Sequence, residues 1–169
     1  MLCLIIPGTF GNTYQLNQRI KVSELYLKQV GIKEATGHND GFWVEQYLAY
    51  CNLKKGDAWC AAMVAYVLGN SGVKAPKSGW SPAWFKPQYV IYTRGKPNNK
   101  TPQMADVGGI WFPKMNRIAH TFFIHEWAFG TAFTVTVEGN TNKDGSREGD
   151  QVCIKRRMKS QIYQVSSYI

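Results

Sequence analysis

A cysteine at the start of an apolar helix is the first feature of this sequence that could do chemistry. In DAWCAAMVAYVLGNSG, residues 57–72, Cys60 follows a tryptophan and lies in the first turn of the predicted helix. A thiol attacks well only as a thiolate, and its ordinary pKa of about 8.5 leaves little thiolate at neutral pH. The positive end of a helix lowers that pKa, and unpaired N–H groups of the first turn can stabilise an oxyanion. Cys60 is therefore a candidate nucleophile.

A histidine that could serve as the base lies in a predicted strand of the second half. His120 and His125 share IAHTFFIHEW, residues 118–127, and because they are five residues apart they point to opposite faces. His120 lies near the strand start, which suits a site at the edge of a core. The other residues predicted on its face are apolar: Ile118, Phe122 and Ile124. His125 and His38 are predicted to be surface histidines.

Two acceptors for the second nitrogen of this imidazole follow one strand later. A catalytic histidine needs such an acceptor to fix its ring orientation and tautomer. In VTVEGNTN, Glu138 and Asn140 lie on the same side of the strand end and flank a glycine. Either side chain could orient His120 while the other positions a substrate, and the residues alone leave both assignments open.

Each of these residues also has an ordinary structural interpretation. A cysteine in an apolar helix is more often a small core residue than a nucleophile, and Glu138 or Asn140 could simply end a strand before a turn. The position of Cys60 together with His120 and the EGNT stretch favours the catalytic interpretation.

The remaining cysteines and the composition bound the class of protein. Cys51 and Cys153 are predicted to be core residues. The chain has no CxxC or CxxH spacing, so we expect no zinc site, and we expect no other cofactor. A disulfide stays open. With 169 residues, 44% of them hydrophobic, the chain fits one folded domain rather than a disordered one. No apolar run approaches the roughly 20 residues of a spanning helix, so no membrane span is expected.

The charge of the chain suggests an anionic partner without naming it. The formal net charge is +9, which would suit a nucleic acid, an acidic wall polymer or an anionic membrane surface. No nucleic-acid-binding motif is present and the basic residues are spread along the chain, so no nucleic acid is expected. The run KRRMK, residues 155–159, is predicted to be solvated edge protection rather than a polymer-binding patch.

Helices in the first half and strands in the second predict an α+β fold. N-terminal helices would pack on an antiparallel sheet of about five to six strands. The predicted helix caps are Ser23, for a helix that Gly31 closes, Asn39 or Asp40 for the second helix, and Asp57 for the third. The predicted strands are residues 107–112, 118–127, 131–138, 151–157 and 162–169.

The order WCAAMV, AHTFFI, VEGNT resembles the CHAP family of cysteine amidases and endopeptidases, which are papain-like cell-wall hydrolases. The resemblance runs from about Asn39 to the C-terminus and implies a papain-like fold. It assigns the nucleophile to Cys60, the base to His120, and the remaining catalytic pair to Glu138 and Asn140. The chain departs from the family pattern at three positions where a glycine is usual: Ala105, Ala119 and Phe122. These departures bear on groove shape and substrate choice more than on chemistry.

The resemblance implies a peptidoglycan hydrolase that cuts an amide bond through a thioester, as an amidase or an endopeptidase. We expect residues 1–21 to be an N-terminal extension and residues 22–169 to form one hydrolase domain. We also expect a monomer that acts in the cell envelope or after secretion, although no export signal is evident. An inhibitor or immunity protein is a candidate partner. The alternatives are a catalytically silent wall-binding module on the same fold and, ranked lower, a basic nucleic-acid-binding protein.

Overall fold

The computed structural model describes residues 8–98, 100–142 and 149–169; Cys3 and much of the polar connection after Asn142 lie outside them. The described chain has three α-helices: α1 (Gly8–Leu27), α2 (Phe42–Tyr50) and α3 (Cys60–Asn70). Its strands are β1 (Val90–Thr93), β2 (Val107–Phe112), β3 (Arg117–Glu126), β4 (Phe133–Thr141), β5 (Gln151–Met158) and β6 (Gln164–Ser166). None of the described helices combines the length and apolar character that a membrane crossing needs. The predicted α+β class is confirmed.

The six strands form one sheet in the order β1-β6-β2-β3-β4-β5, and all neighbours are antiparallel. The five predicted strands are present, although β6 is much shorter than the predicted span of residues 162–169. The prediction missed β1, because its four half-buried residues follow a proline-broken segment and lack apolar–polar alternation.

The helices cover one face of the sheet. Helix α3 is apolar nearly all round and buries eight of its residues, so it forms the centre of the main core. Phe123 and Val137 join that core from β3 and β4. Their chain neighbours point the other way, as strand alternation requires, and Phe122 contributes to a smaller cluster on the opposite face.

The prediction that Ser23 caps the first helix is wrong. Helix α1 already begins at Gly8, and Ser23 lies within it, with its hydroxyl donating to the Ile20 carbonyl at 2.8 Å. The expected boundary between residues 21 and 22 therefore falls inside a continuous helix. The buried Arg19 also donates to the Asp106 carboxylate at 2.8 Å, which ties α1 to the entry of β2.

The predicted caps of the next two helices are also wrong. Gly41 and Trp59 occupy the N-cap positions of α2 and α3, and neither helix start has a side-chain cap. Asp40 instead accepts from the Thr36 N–H and hydroxyl, and Asp57 accepts from the Lys54 N–H. Both carboxylates stabilise turns that precede the helices, which is the usual competing use of aspartate.

A β-bulge in β3 lies directly beside His120. Ile110 pairs with His120 and Trp111 pairs with Ile118, so Ala119 is the extra residue. The bulge overturns the prediction that Ile118 shares a face with His120. A Cβ added at Gly109 would come within 2.8 Å of Ile118 Cγ2, so the Ile118 side chain lies on the face to which that Cβ would point. Gly109 pairs with Thr121, and paired residues share a face. Thr121 is the chain neighbour of His120, so this face is the one opposite His120.

Candidate active site

Cys60 is the first residue of α3, and its neighbours fix it against the sheet. Only 5% of Cys60 is exposed. The preceding Trp59 donates from its indole N–H to Glu34 at 2.8 Å and stacks on Tyr47. Gly139 on β4 permits this close approach, because a Cβ there would come within 2.6 Å of the Trp59 ring. The glycine of the EGNT stretch thus allows the helix start to reach the strand.

Three groups from the sheet and the segment after α3 surround the thiol. The His120 side chain and the Thr121 N–H are electrostatic partners of the sulfur, and the Ser81 hydroxyl lies 3.9 Å from it. Burial alone would raise the pKa of the Cys60 thiol. These partners, with the charge of His120, outweigh burial and hold that pKa below its ordinary value.

His120 joins the thiol to a buried carboxylate. Its Nε2 lies 2.8 Å from Glu138 Oε2, so Nδ1 is the nitrogen left for the sulfur. Burial would lower the pKa of His120, but the hydrogen bonds and charges of Cys60 and Glu138 raise it to about 9. Opposite shifts on the two partners are what a thiolate–imidazolium pair requires.

Glu138 is fully buried, and each oxygen of its carboxylate has more than one hydrogen-bond partner. Arg157 Nε and the Thr136 hydroxyl donate to Oε1, while Arg157 Nη2 donates to Oε2 at 2.6 Å. Burial would raise the pKa of Glu138, yet His120 and Arg157 hold it far below its ordinary range. Glu138 is therefore an anion that fixes the ring of His120.

Arg157 is a site residue that the sequence prediction missed. The run KRRMK was expected to be solvated, and β5 is indeed an edge strand. Arg157 nevertheless turns inward onto Glu138, with its side chain only 15% exposed. Strand alternation was the available signal, because Lys155 and Arg157 share a face while Arg156 points away.

Asn140 serves the helix rather than the histidine. With its amide oriented to suit its partners, the oxygen accepts from the Trp59 N–H at 3.1 Å and the nitrogen donates to the Gly149 carbonyl at 2.7 Å. Asn140 has a left-handed backbone with φ of 52°, which asparagine tolerates better than most residues. Of the two acceptors left open by the sequence, Glu138 contacts His120 and Asn140 anchors the start of α3.

Ser81 and Thr121 were also missed. Ser81 opens a single 3₁₀ turn, Ser81–Trp84, in the proline-containing segment between α3 and β1. Thr121 contributes only its backbone, which no sequence motif signals. Trp84 of the same turn is fully buried, whereas Trp80 is 54% exposed and has the Arg117 guanidinium 4.2 Å from its ring centroid.

A cavity of about 430 Å³ opens beside His120, and Asn140 and Arg157 also line it. A substrate in this cavity would lie against the imidazole. Within the described ranges, no cluster of three His, Cys, Asp or Glu side chains could hold a metal ion.

The fold and the site together define an α+β protein with a buried cysteine–histidine–glutamate arrangement. Comparison with protein-family models, curated proteins and solved structures found no match to this chain.

Proposed function

We propose that this chain is a papain-like cysteine hydrolase that cleaves an amide bond in bacterial peptidoglycan, as an amidase or an endopeptidase. The observation that carries the proposal is the contact of Cys60 with His120, whose other nitrogen is held by Glu138. A thiol of lowered pKa, an imidazole of raised pKa and an orienting carboxylate are the three parts that nucleophilic amide cleavage needs.

In the proposed reaction, the Cys60 thiolate adds to the amide carbonyl carbon. Backbone N–H groups at the start of α3, including that of Cys60, donate to the oxyanion. The His120 imidazolium then gives its proton to the departing amine nitrogen, the C–N bond breaks, and a thioester remains. His120 next takes a proton from water as the water oxygen attacks the thioester, which releases the carboxylic acid and restores the thiolate. Glu138 keeps the ring in place throughout.

The wall substrate rests on the resemblance of the WCAAMV, AHTFFI and EGNT stretches to the CHAP family and on the charge of the chain. A net charge of +9 favours attraction to anionic wall polymers, with the enzyme acting in the envelope or after secretion.

Digestion of purified sacculi tests this proposal. Wild type, Cys60→Ala and the control Cys51→Ala are incubated with sacculi, and mass spectrometry identifies the new termini. We expect soluble fragments from wild type and from the control, at rates within about twofold, and at least about a thousandfold less from Cys60→Ala. The new termini would identify the bond. Release of soluble fragments by Cys60→Ala at the wild-type rate would exclude Cys60 as the nucleophile.

The near-complete burial of the Cys60 thiol favours one alternative, a catalytically silent wall-binding module. That alternative predicts that wild type co-sediments with sacculi and releases no fragments under any condition. The same incubation distinguishes the two functions, because the pellet reports binding and the supernatant reports cleavage.

A further inference from the structure

The cavity beside His120 has an uneven charge distribution. Ile110 and Trp111 form an apolar part of its wall, while Arg94 and Arg157 contribute guanidinium groups. Among the described residues that line it, none is acidic. A cavity with cationic and apolar walls next to a candidate base is suited to a particular class of ligand group.

The two arginines differ in what they leave for a ligand. Arg157 directs Nε and Nη2 at Glu138, so its charge is matched by a buried carboxylate. Arg94 lies at the exposed rim and forms no ion pair with a described residue. Its Nη1 donates to the Ser160 carbonyl at 2.5 Å, and its guanidinium lies 5.8 Å from the Tyr163 ring centroid.

The contacts of Arg94 orient its side chain without neutralising it. A backbone carbonyl holds one nitrogen, and the guanidinium lies beside the Tyr163 ring. The remaining N–H groups can form the parallel pair of hydrogen bonds that guanidinium groups make with carboxylates.

We propose that this cavity binds a carboxylate group of the ligand, with Arg94 as its counter-charge. This inference rests on the proposed function in one respect: for a hydrolase, the substrate would be an acidic peptide that places a free carboxylate close to the scissile amide. The binding of the carboxylate itself requires no catalysis, so it can be tested separately.

Titration with glutarate, followed by NMR at the Trp111 indole and the Gln161 side-chain amide, tests the cavity directly. Glutaramide is the neutral probe, and all samples have the same ionic strength. We expect saturable shifts with glutarate in wild type and in Cys60→Ala, and binding at least about threefold weaker for glutaramide. Equal binding of the two probes would overturn the proposal.

Two variants assign the effect to Arg94. Arg94→Gln should weaken glutarate binding at least about threefold, and Arg94→Lys should restore part of it. The control Arg156→Gln removes the same charge from the outward face of β5, where Arg156 lies over the Phe133 ring, and should leave binding unchanged. Unchanged glutarate binding in Arg94→Gln would overturn the assignment.

The alkylation of Cys60 provides a second readout. A cationic cavity should favour iodoacetate over the neutral iodoacetamide, and Arg94→Gln should lower that rate ratio about threefold at low salt. An unchanged ratio would count against the proposal. If neither reagent modified Cys60, the proposed hydrolase would fail, while the glutarate titration would still decide whether the cavity binds carboxylates.

Discussion

The end of α2 and the start of α3 present two cysteines in opposite electrostatic environments. Cys51 is the C-cap of α2, and Cys60 is the first residue of α3. Burial by itself would raise the pKa of both thiols, but their other neighbours act differently. For Cys51 the result is a pKa of about 11, even though the charge of Lys77 lowers it. For Cys60 the pKa falls below its ordinary value.

This difference indicates that the partners of a thiol, rather than its exposure, decide its pKa in this fold. Cys51 is the less buried of the two, yet it lies at the negative end of a helix and has no imidazole beside it. Cys60 has the positive helix end, the Thr121 N–H and His120. Removing these partners one at a time should therefore make Cys60 behave like Cys51.

The largest effect is expected from His120→Ala. Without the imidazole, desolvation dominates and the pKa of Cys60 should rise above its ordinary value, as it does for Cys51. The alkylation rate of Cys60 at pH 7 should fall at least about a hundredfold, because each pKa unit changes the thiolate fraction tenfold. Mass spectrometry that resolves each cysteine measures the rate.

His125→Ala is the matched control for that variant. His125 lies on the same strand, but its Nδ1 contacts the Tyr26 hydroxyl at 2.8 Å and not the thiol. This contact also corrects the expectation that His125 is a simple surface histidine. An equal loss of Cys60 reactivity in both variants would mean that strand disruption, rather than the imidazole, is responsible.

Arg157→Gln should have the next largest effect. Glu138 would remain buried with only one of its two cationic partners, His120, and removing one partner of a buried ion pair costs about 3–5 kcal/mol of unfolding free energy. The pKa of His120 should also fall, because a less firmly ionised Glu138 stabilises the imidazolium less well. Urea unfolding measures the first effect and NMR titration of His120 the second. The exposed neighbour variant Arg156→Gln should leave both unchanged, so a similar response there would contradict the role of Arg157.

The pH dependence of cleavage should follow the imidazolium. The pKa of His120 is raised to about 9, so its protonated form persists through neutral pH and is lost above that value. We expect kcat/KM to fall about tenfold per pH unit above pH 9, since the proton donor to the leaving amine disappears. Initial rates on sacculi across pH 6–11 test this. A decline centred on pH 6.5 would mean that Glu138 and Cys60 do not hold the proton on His120.

Ser81→Ala should have the smallest effect. The hydroxyl lies 3.9 Å from the Cys60 sulfur, which is a weak contact, and it is the last of the groups that lower the pKa of that thiol. We expect a two- to threefold lower alkylation rate at neutral pH. A loss as large as that in His120→Ala would require Ser81 to act directly in the chemistry.

The sequence predicted the parts of the site that depend on local pattern. Cys60 at a helix start, His120 near a strand start and Glu138 at a strand end could each be found from periodicity and spacing. The sequence could not show whether Glu138 or Asn140 contacts His120, because the answer depends on how β4 packs on α3. Gly139 brings that strand against Trp59, and Asn140 then meets the helix start instead of the imidazole.

The errors have a common cause in contacts between distant segments. Ser23 has the side chain of a helix cap but lies within a longer helix that is tied to Asp106 through Arg19. Arg157 belongs to a basic run typical of a solvated edge, yet a buried carboxylate on the neighbouring strand pairs with it. Local composition indicates neither partner.

The most direct test of the central claim is the rate of iodoacetamide alkylation at Cys60 and Cys51 in one sample of wild type, measured from pH 5 to pH 11. We predict a break for Cys60 well below pH 8.5 and a break for Cys51 well above it. A break at or above pH 8.5 for both cysteines would mean that His120 does not activate the thiol.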